Sequence, residues 1–132
     1  MTTDKPNHIR AGLFGIGLDT YWPQFKGLLP RLTGYQERIA TRLRGFGVSL
    51  TDAGMVDTPA KAQAAASLFR REEVDIVFLY ISTYALSSTV LPVVQKAGVP
   101  VVVHIVVHVL IRVAVIIRRR EFIAAKTSFC AC

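Results

Sequence analysis

Cysteine is nearly absent. Cys130 and Cys132 are the only two, and the first 129 residues hold none. A disulfide framework is therefore excluded, and a reducing, intracellular setting is the simpler reading. Histidine is as scarce: residues 1–103 contain His8 alone, upstream of the first apolar run. That leaves no Ser-His-Asp constellation in the body of the chain. No carboxylate pair stands out for acid–base work either, because Asp4, Asp19, Asp52, Asp57 and Asp75 fall on different expected elements. The opening MTTDKPNHIR has no apolar segment of signal-peptide type, which points to the cytoplasm.

What is present suits one globular domain. The chain has 132 residues, 52% hydrophobic and 19% charged, enough apolar material for a core and too little charge for disorder. The net charge of +7 is unevenly spread. Residues 1–103 hold eleven basic and eight acidic side chains, whereas residues 104–132 hold five and one. More than half of the excess thus belongs to the last 29 residues.

The body alternates strand and helix signals. Residues 9–16 (IRAGLFGI) read as a buried first strand, followed by a loop, LDTYWPQF. Residues 28–46 carry a helical pattern with Leu32, Tyr35, Ile39, Leu43 and Phe46 on the apolar face and arginines on the other. Residues 48–50 make a short second strand. Asp57 or Thr58 caps a second helix with Pro59 at its first position, running through KAQAAASLFRREE. Residues 74–81 (VDIVFLYI) form a third strand, apolar at nearly every position. Residues 86–96 form a third helix ended by Gly98, and residues 99–103 start a fourth strand. This rhythm predicts an α/β, flavodoxin-like (Rossmann-like) three-layer fold with a parallel sheet of order 2-1-3-4. Ligand chemistry in such a sheet belongs at the carboxyl ends of its strands. Here those are the loops after strands one and three.

Three features there invite a functional reading. Gly15-Ile16-Gly17 resembles the start of a dinucleotide fingerprint, but the third glycine position is Thr20, and Asp52 lies too far on to be the ribose acid. A glycine pair admitting close strand–helix packing explains it better. The loop from Asp19 to Phe25 gathers the only tryptophan with a Tyr, a Phe, an Asp and a Gln. Aromatic faces with a few hydrogen-bonding groups suit a sugar; packing of Trp22 and Phe25 onto the sheet is an equally good account. Ser82-Thr83-Tyr84 and Ser87-Ser88-Thr89 could bind a polyol or phosphate near the helix N-terminus, although ordinary helix capping explains these hydroxyls more simply.

GLFGIGLDTYWPQFKGLLPRLTGYQERIATRLRGFGVSLTDAGMVDTPAKA, continued by REEVDIVFLYISTYALSSTVLPVVQKAGVPVVV, resembles the N-terminal domain of the L-arabinose/L-fucose isomerase family over about residues 9–103. The resemblance implies a role in aldose–ketose interconversion, with Asp19, Tyr21, Trp22, Gln24, Thr83 and Tyr84 contributing to a sugar pocket. It also implies a divalent metal such as manganese in the full-length family. The Glu and His ligands of that metal come from later domains, so this chain is expected to bind no cofactor, to have no catalytic residues of its own, and to be inactive alone. A homo-oligomer is the expected assembly of the full-length family. The other reading of the same residues is a free-standing flavodoxin-like module that binds a small molecule without catalysis.

From His104 onward the resemblance stops. The tail, HIVVHVLIRVAVIIRRREFIAAKTSFCAC, lacks Gly, Pro, Asn, Asp and Gln altogether. A frameshifted or otherwise aberrant C-terminus, irregular or helical, fits this composition best. A membrane span of residues 99–117 is disfavoured by His104, His108 and Arg112, since an Arg at a helix centre costs about 2.5–3.5 kcal/mol. An interfacial helix would suit that polar stripe better, yet no membrane contact by the tail is expected. A metal set of His104, His108, Cys130 and Cys132 is a weak match, and no metal site is expected. Arg118–Arg120 is too short a run, without aromatics, to suggest nucleic acid. The body is expected to expose the edge of its fourth strand.

Overall fold

The computed structural model describes residues 8–105 and 114–117. Its elements, in chain order, are β1 (Arg10–Ile16), α1 (Tyr21–Gln24), α2 (Leu28–Gly45), β2 (Ser49–Val56), α3 (Pro59–Arg71), β3 (Ile76–Ile81), α4 (Ser87–Ala97), β4 (Val101–Ile105) and β5 (Ala114–Ile117). The sheet order is β2-β1-β3-β4-β5. β1 to β4 are all parallel, in the order 2-1-3-4 that the sequence predicts. Helices cover both faces, completing a flavodoxin-like three-layer arrangement. α3 and α4 pack together on one face, where Phe14, Ile16, Ala62, Ala65, Phe69, Val77 and Val93 form the larger core. α2 lies on the other face, where Leu13, Ala40 and Tyr80 are buried with Tyr35 and Ile39 against them.

Four sequence expectations are corrected. The loop after β1 contains a one-turn helix, α1, whose Phe25 N–H bonds to the Tyr21 carbonyl. β2 runs eight residues rather than three. Asp52 and Gly54 look like turn residues, yet they build a bulge inside the strand. Leu13 pairs with Asp52 but Gly15 pairs with Met55, so β2 carries one residue more than its partner. Gly54 takes φ +75°, and its N–H bonds to Asp52 Oδ1 at 2.8 Å.

The third correction concerns the end of the apolar face of α2, which otherwise holds at Leu32, Tyr35, Ile39 and Leu43. Phe46, expected inside, is 83% exposed at the C-cap. The buried line is Leu32, Gln36 and Ala40. Gln36 turns inward because its Nε2 donates to Asp52 Oδ1 at 2.8 Å, fastening α2 to β2 at the bulge. The fourth concerns the tail. Residues 114–117 are neither irregular nor helical; they pair antiparallel with β4, from Val101↔Ile117 to His104↔Ala114. The edge of β4 expected to be open is therefore covered, and β4 itself runs past residue 103 to Ile105.

Candidate functional site at the carboxyl ends of β1, β2 and β3

β1 lies between β2 and β3, so the chain leaves the sheet on both sides of it and the topological switch point, where sheets of this kind bind ligands, falls at its carboxyl end. Three short links fix the loops there. Gly17 N–H bonds to the Val56 carbonyl at 3.3 Å, joining the ends of β1 and β2. Ser82 donates through both its N–H (3.1 Å) and its hydroxyl (2.7 Å) to the Ile16 carbonyl, joining β3 to β1. Leu18 N–H donates to Thr83 Oγ1 at 3.0 Å, so the two candidate loops hold each other.

Trp22 is the centre of this arrangement. Its Nε1–H donates to Asp57 Oδ2 at 2.8 Å, and the other carboxylate oxygen pairs with Lys61 Nζ at 2.8 Å. Asp57 is 8% exposed. Burial, the largest influence on its carboxyl, raises the pKa. The hydrogen bonds from Lys61 and Trp22 and the Lys61 charge outweigh that and hold it below the ordinary value. The indole ring lies on Gly17: a Cβ there would come within 2.6 Å of Trp22 Cζ2 and 2.7 Å of Cη2. Glycine at 17 is thus needed for the ring to approach the strand end. Gly15 similarly admits Gln36, whose Oε1 would collide with a Cβ. The two glycines serve close packing, and Trp22 occupies the face where a dinucleotide fingerprint needs open backbone. Asp52, the candidate ribose acid, is engaged by Gln36 and Gly54 instead.

The remaining candidates divide. Tyr21 is half-buried and stacks edge-to-face on Phe25, ring centroids 5.7 Å apart at 86°. Asp19 is exposed, and its carbonyl accepts from Trp22 N–H at 3.2 Å. Tyr84 is 64% exposed on the loop that Thr83 anchors. Gln24 turns away: its Nε2 donates to the Thr20 carbonyl at 3.0 Å, within its own turn. Phe25 is 53% exposed, so only Trp22 of the expected pair packs onto the sheet. Asp57 is the residue that sequence reading places only as a cap. Thr58 is the cap in fact, its Oγ1 accepting from Lys61 N–H at 3.3 Å. An Asp just beyond a strand's carboxyl end, next to the true cap, is the signal that marks it. At α4, Leu86 is the N-cap, and buried Thr89 donates its hydroxyl to the Leu86 carbonyl at 2.9 Å.

Among the described residues, no three His, Cys, Asp or Glu side chains come together to hold a metal ion. His108, Cys130 and Cys132 lie outside the described residues. Among the described residues, no helix is long and apolar enough to cross a membrane. No family model, curated protein or solved structure matches the chain.

Proposed function

We propose that this domain supplies substrate-pocket loops and oligomer contacts to an L-arabinose/L-fucose isomerase-like protein, binding a sugar without a metal site of its own. The observation that carries the reading is Trp22, fixed by buried Asp57 beside the Thr83-anchored loop. An indole held rigid offers a flat surface for the C–H face of a pyranose or open-chain sugar. Asp19 and Tyr84, both exposed at this end of the sheet, supply an acceptor and a hydroxyl for ring hydroxyls. Binding of this kind orients a polyol; the proton transfer of isomerisation falls to groups outside the described residues.

Titration of Trp22 fluorescence with L-arabinose and L-fucose tests it, since the chain holds no other tryptophan. A saturable change that Tyr84→Ala weakens is the expected result. No saturable change with any pentose or 6-deoxyhexose would overturn the reading. With added Mn²⁺ the chain alone is expected to show no aldose–ketose conversion.

A further inference from the structure

α2 carries along one side a line of residues that the sugar reading does not use, arginines around the half-buried Tyr35. Arg31, Tyr35, Arg38, Arg42 and Phe46 follow at steps of four, three, four and four, so they lie along one side of the helix. Phe46 follows as the C-cap residue, its N–H bonded to the Leu43 and Arg44 carbonyls. Arg31, Arg38, Arg42 and Arg44 are all exposed, and Glu37 is the only acid on the helix. Among the described residues, the ion pairs are Arg10–Glu73, Lys61–Asp57 and Arg71–Glu72; none involves an α2 arginine.

The helix macrodipole accounts for Arg42 and Arg44, which sit in the last turn. It does not account for Arg31 and Arg38. Those two are arrayed on one half-buried ring: Arg31 Nε donates to the Tyr35 hydroxyl at 3.4 Å, and the Arg38 guanidinium lies 5.7 Å from the Tyr35 ring centroid. Tyr35 in turn packs on the Leu13–Ala40–Tyr80 core. The guanidinium groups are thus partly preorganised at the surface. Beyond the last of them stands Phe46, among the described residues the most exposed of the large apolar side chains and flanked by Gly45 and Gly47.

We propose that this face of α2 docks the protein on an anionic lipid surface, with the arginines on the headgroups and Phe46 at the headgroup–acyl boundary. The apolar face of α2 is already packed on the sheet, so the arginine row and the exposed ring are what remain to meet a membrane surface, where basic side chains are attracted to anionic lipid. The charge attracts anionic headgroups, and the aromatic adds an apolar term that a purely electrostatic partner does not reward. Single-stranded nucleic acid, which takes several aromatic platforms in a basic groove, is matched less well by one ring at the end of a convex helix.

Flotation of the full chain with phosphatidylcholine vesicles, with and without phosphatidylserine, tests the proposal. The tail is basic too, so charge-matched variants are compared. R38Q/R42Q on α2 is expected to lower partitioning on the order of 25-fold, at roughly fivefold per basic residue near such a surface. R70Q/R71Q, at the end of α3, removes the same charge and should lower it only a few fold. F46S changes no charge and leaves the core untouched, yet should weaken binding as well. Circular dichroism confirms that each variant is folded. Absence of phosphatidylserine-dependent flotation would overturn the proposal. So would equal losses from the two arginine pairs, or an F46S variant that binds unchanged. Single-stranded RNA displacing the protein from vesicles, with affinity indifferent to F46S, would assign the face to a polyanion instead.

Discussion

Trp22 and Asp57 stand 35 positions apart in the chain and meet through a 2.8 Å hydrogen bond at the carboxyl ends of β1 and β2. The contact couples a short helix in one loop to the first residue beyond a neighbouring strand. Removing the acceptor leaves the indole N–H without its partner and takes from Lys61 its counter-ion. Asp57→Ala is therefore expected to cost about 1–3 kcal/mol, within the range for a buried polar group left unpaired. Urea unfolding followed by far-UV circular dichroism measures it. Emission from Trp22 should shift to the red as the ring loosens. Asp57→Asn keeps a carbonyl acceptor and should cost less.

Gly17→Ala asks whether the same ring needs its seat. A methyl at 17 would stand 2.6 Å from Trp22 Cζ2, so either the ring or the strand end must move. The expected loss is about 1–3 kcal/mol, typical of overpacking, together with a change in Trp22 emission. Gly34→Ala supplies the contrast. A Cβ there meets nothing within 4 Å, and the residue sits inside α2. That change should stabilise by about 0.4–1 kcal/mol and leave the emission unaltered.

Two groups set opposite pH limits. The Asp57 carboxyl is lowered in the folded protein, so the unfolded chain binds its proton more readily. Its contribution is fully present above the ordinary carboxyl value and is lost as pH falls through and below it. Burial pushes the Tyr80 phenol up to about 12, with Tyr35 adding to the rise. Here the folded state holds the proton more tightly. The contribution is fully present below the ordinary value near 10 and disappears as pH climbs towards 12. A two-unit rise corresponds to about 3 kcal/mol at most. Thermal melts across pH should show an acid limb that Asp57→Asn removes and an alkaline limb that Tyr80→Phe removes.

The strand order was legible because nearly every residue of VDIVFLYI is apolar, as a strand covered on both faces requires, and because Pro59 and Gly98 mark helix ends unambiguously. The length of β2 was not, since Asp52 and Gly54 are turn formers locally and become a bulge only when β1 lies alongside. On the face of α2, Leu32, Tyr35, Ile39 and Leu43 were read correctly, and only Phe46 was misplaced, for a related reason. Periodicity ranks Phe46 above Gln36 as a core residue, whereas Asp52 on another element gives Gln36 its reason to turn inward. Within the candidate site, the aromatic loop stood out by composition. Asp57 did not, because its role depends on a partner 35 residues away.

β5 tests whether the tail serves the fold. Its composition suggests an accident of reading frame, and on that view removing it costs the body nothing. The pairing of Ala114–Ile117 with β4 argues otherwise, because it covers the backbone edge of a strand made of Val101, Val102, Val103, His104 and Ile105. An uncovered edge of that composition is a template for association between chains. A chain ending at Ile105 retains β1–β4 and the helices, so its circular dichroism should remain that of an α/β protein. Two measurements should change. Light scattering at concentrations of about 100 μM should report oligomers where the full chain gives fewer, since unpaired edges associate in the μM–mM range. Amide exchange should quicken in β4 but not in β1, which keeps both of its neighbours. If the shortened chain is instead the more monodisperse of the two, with β4 exchange unaltered, β5 gives the sheet no protection and the tail is dispensable to the body.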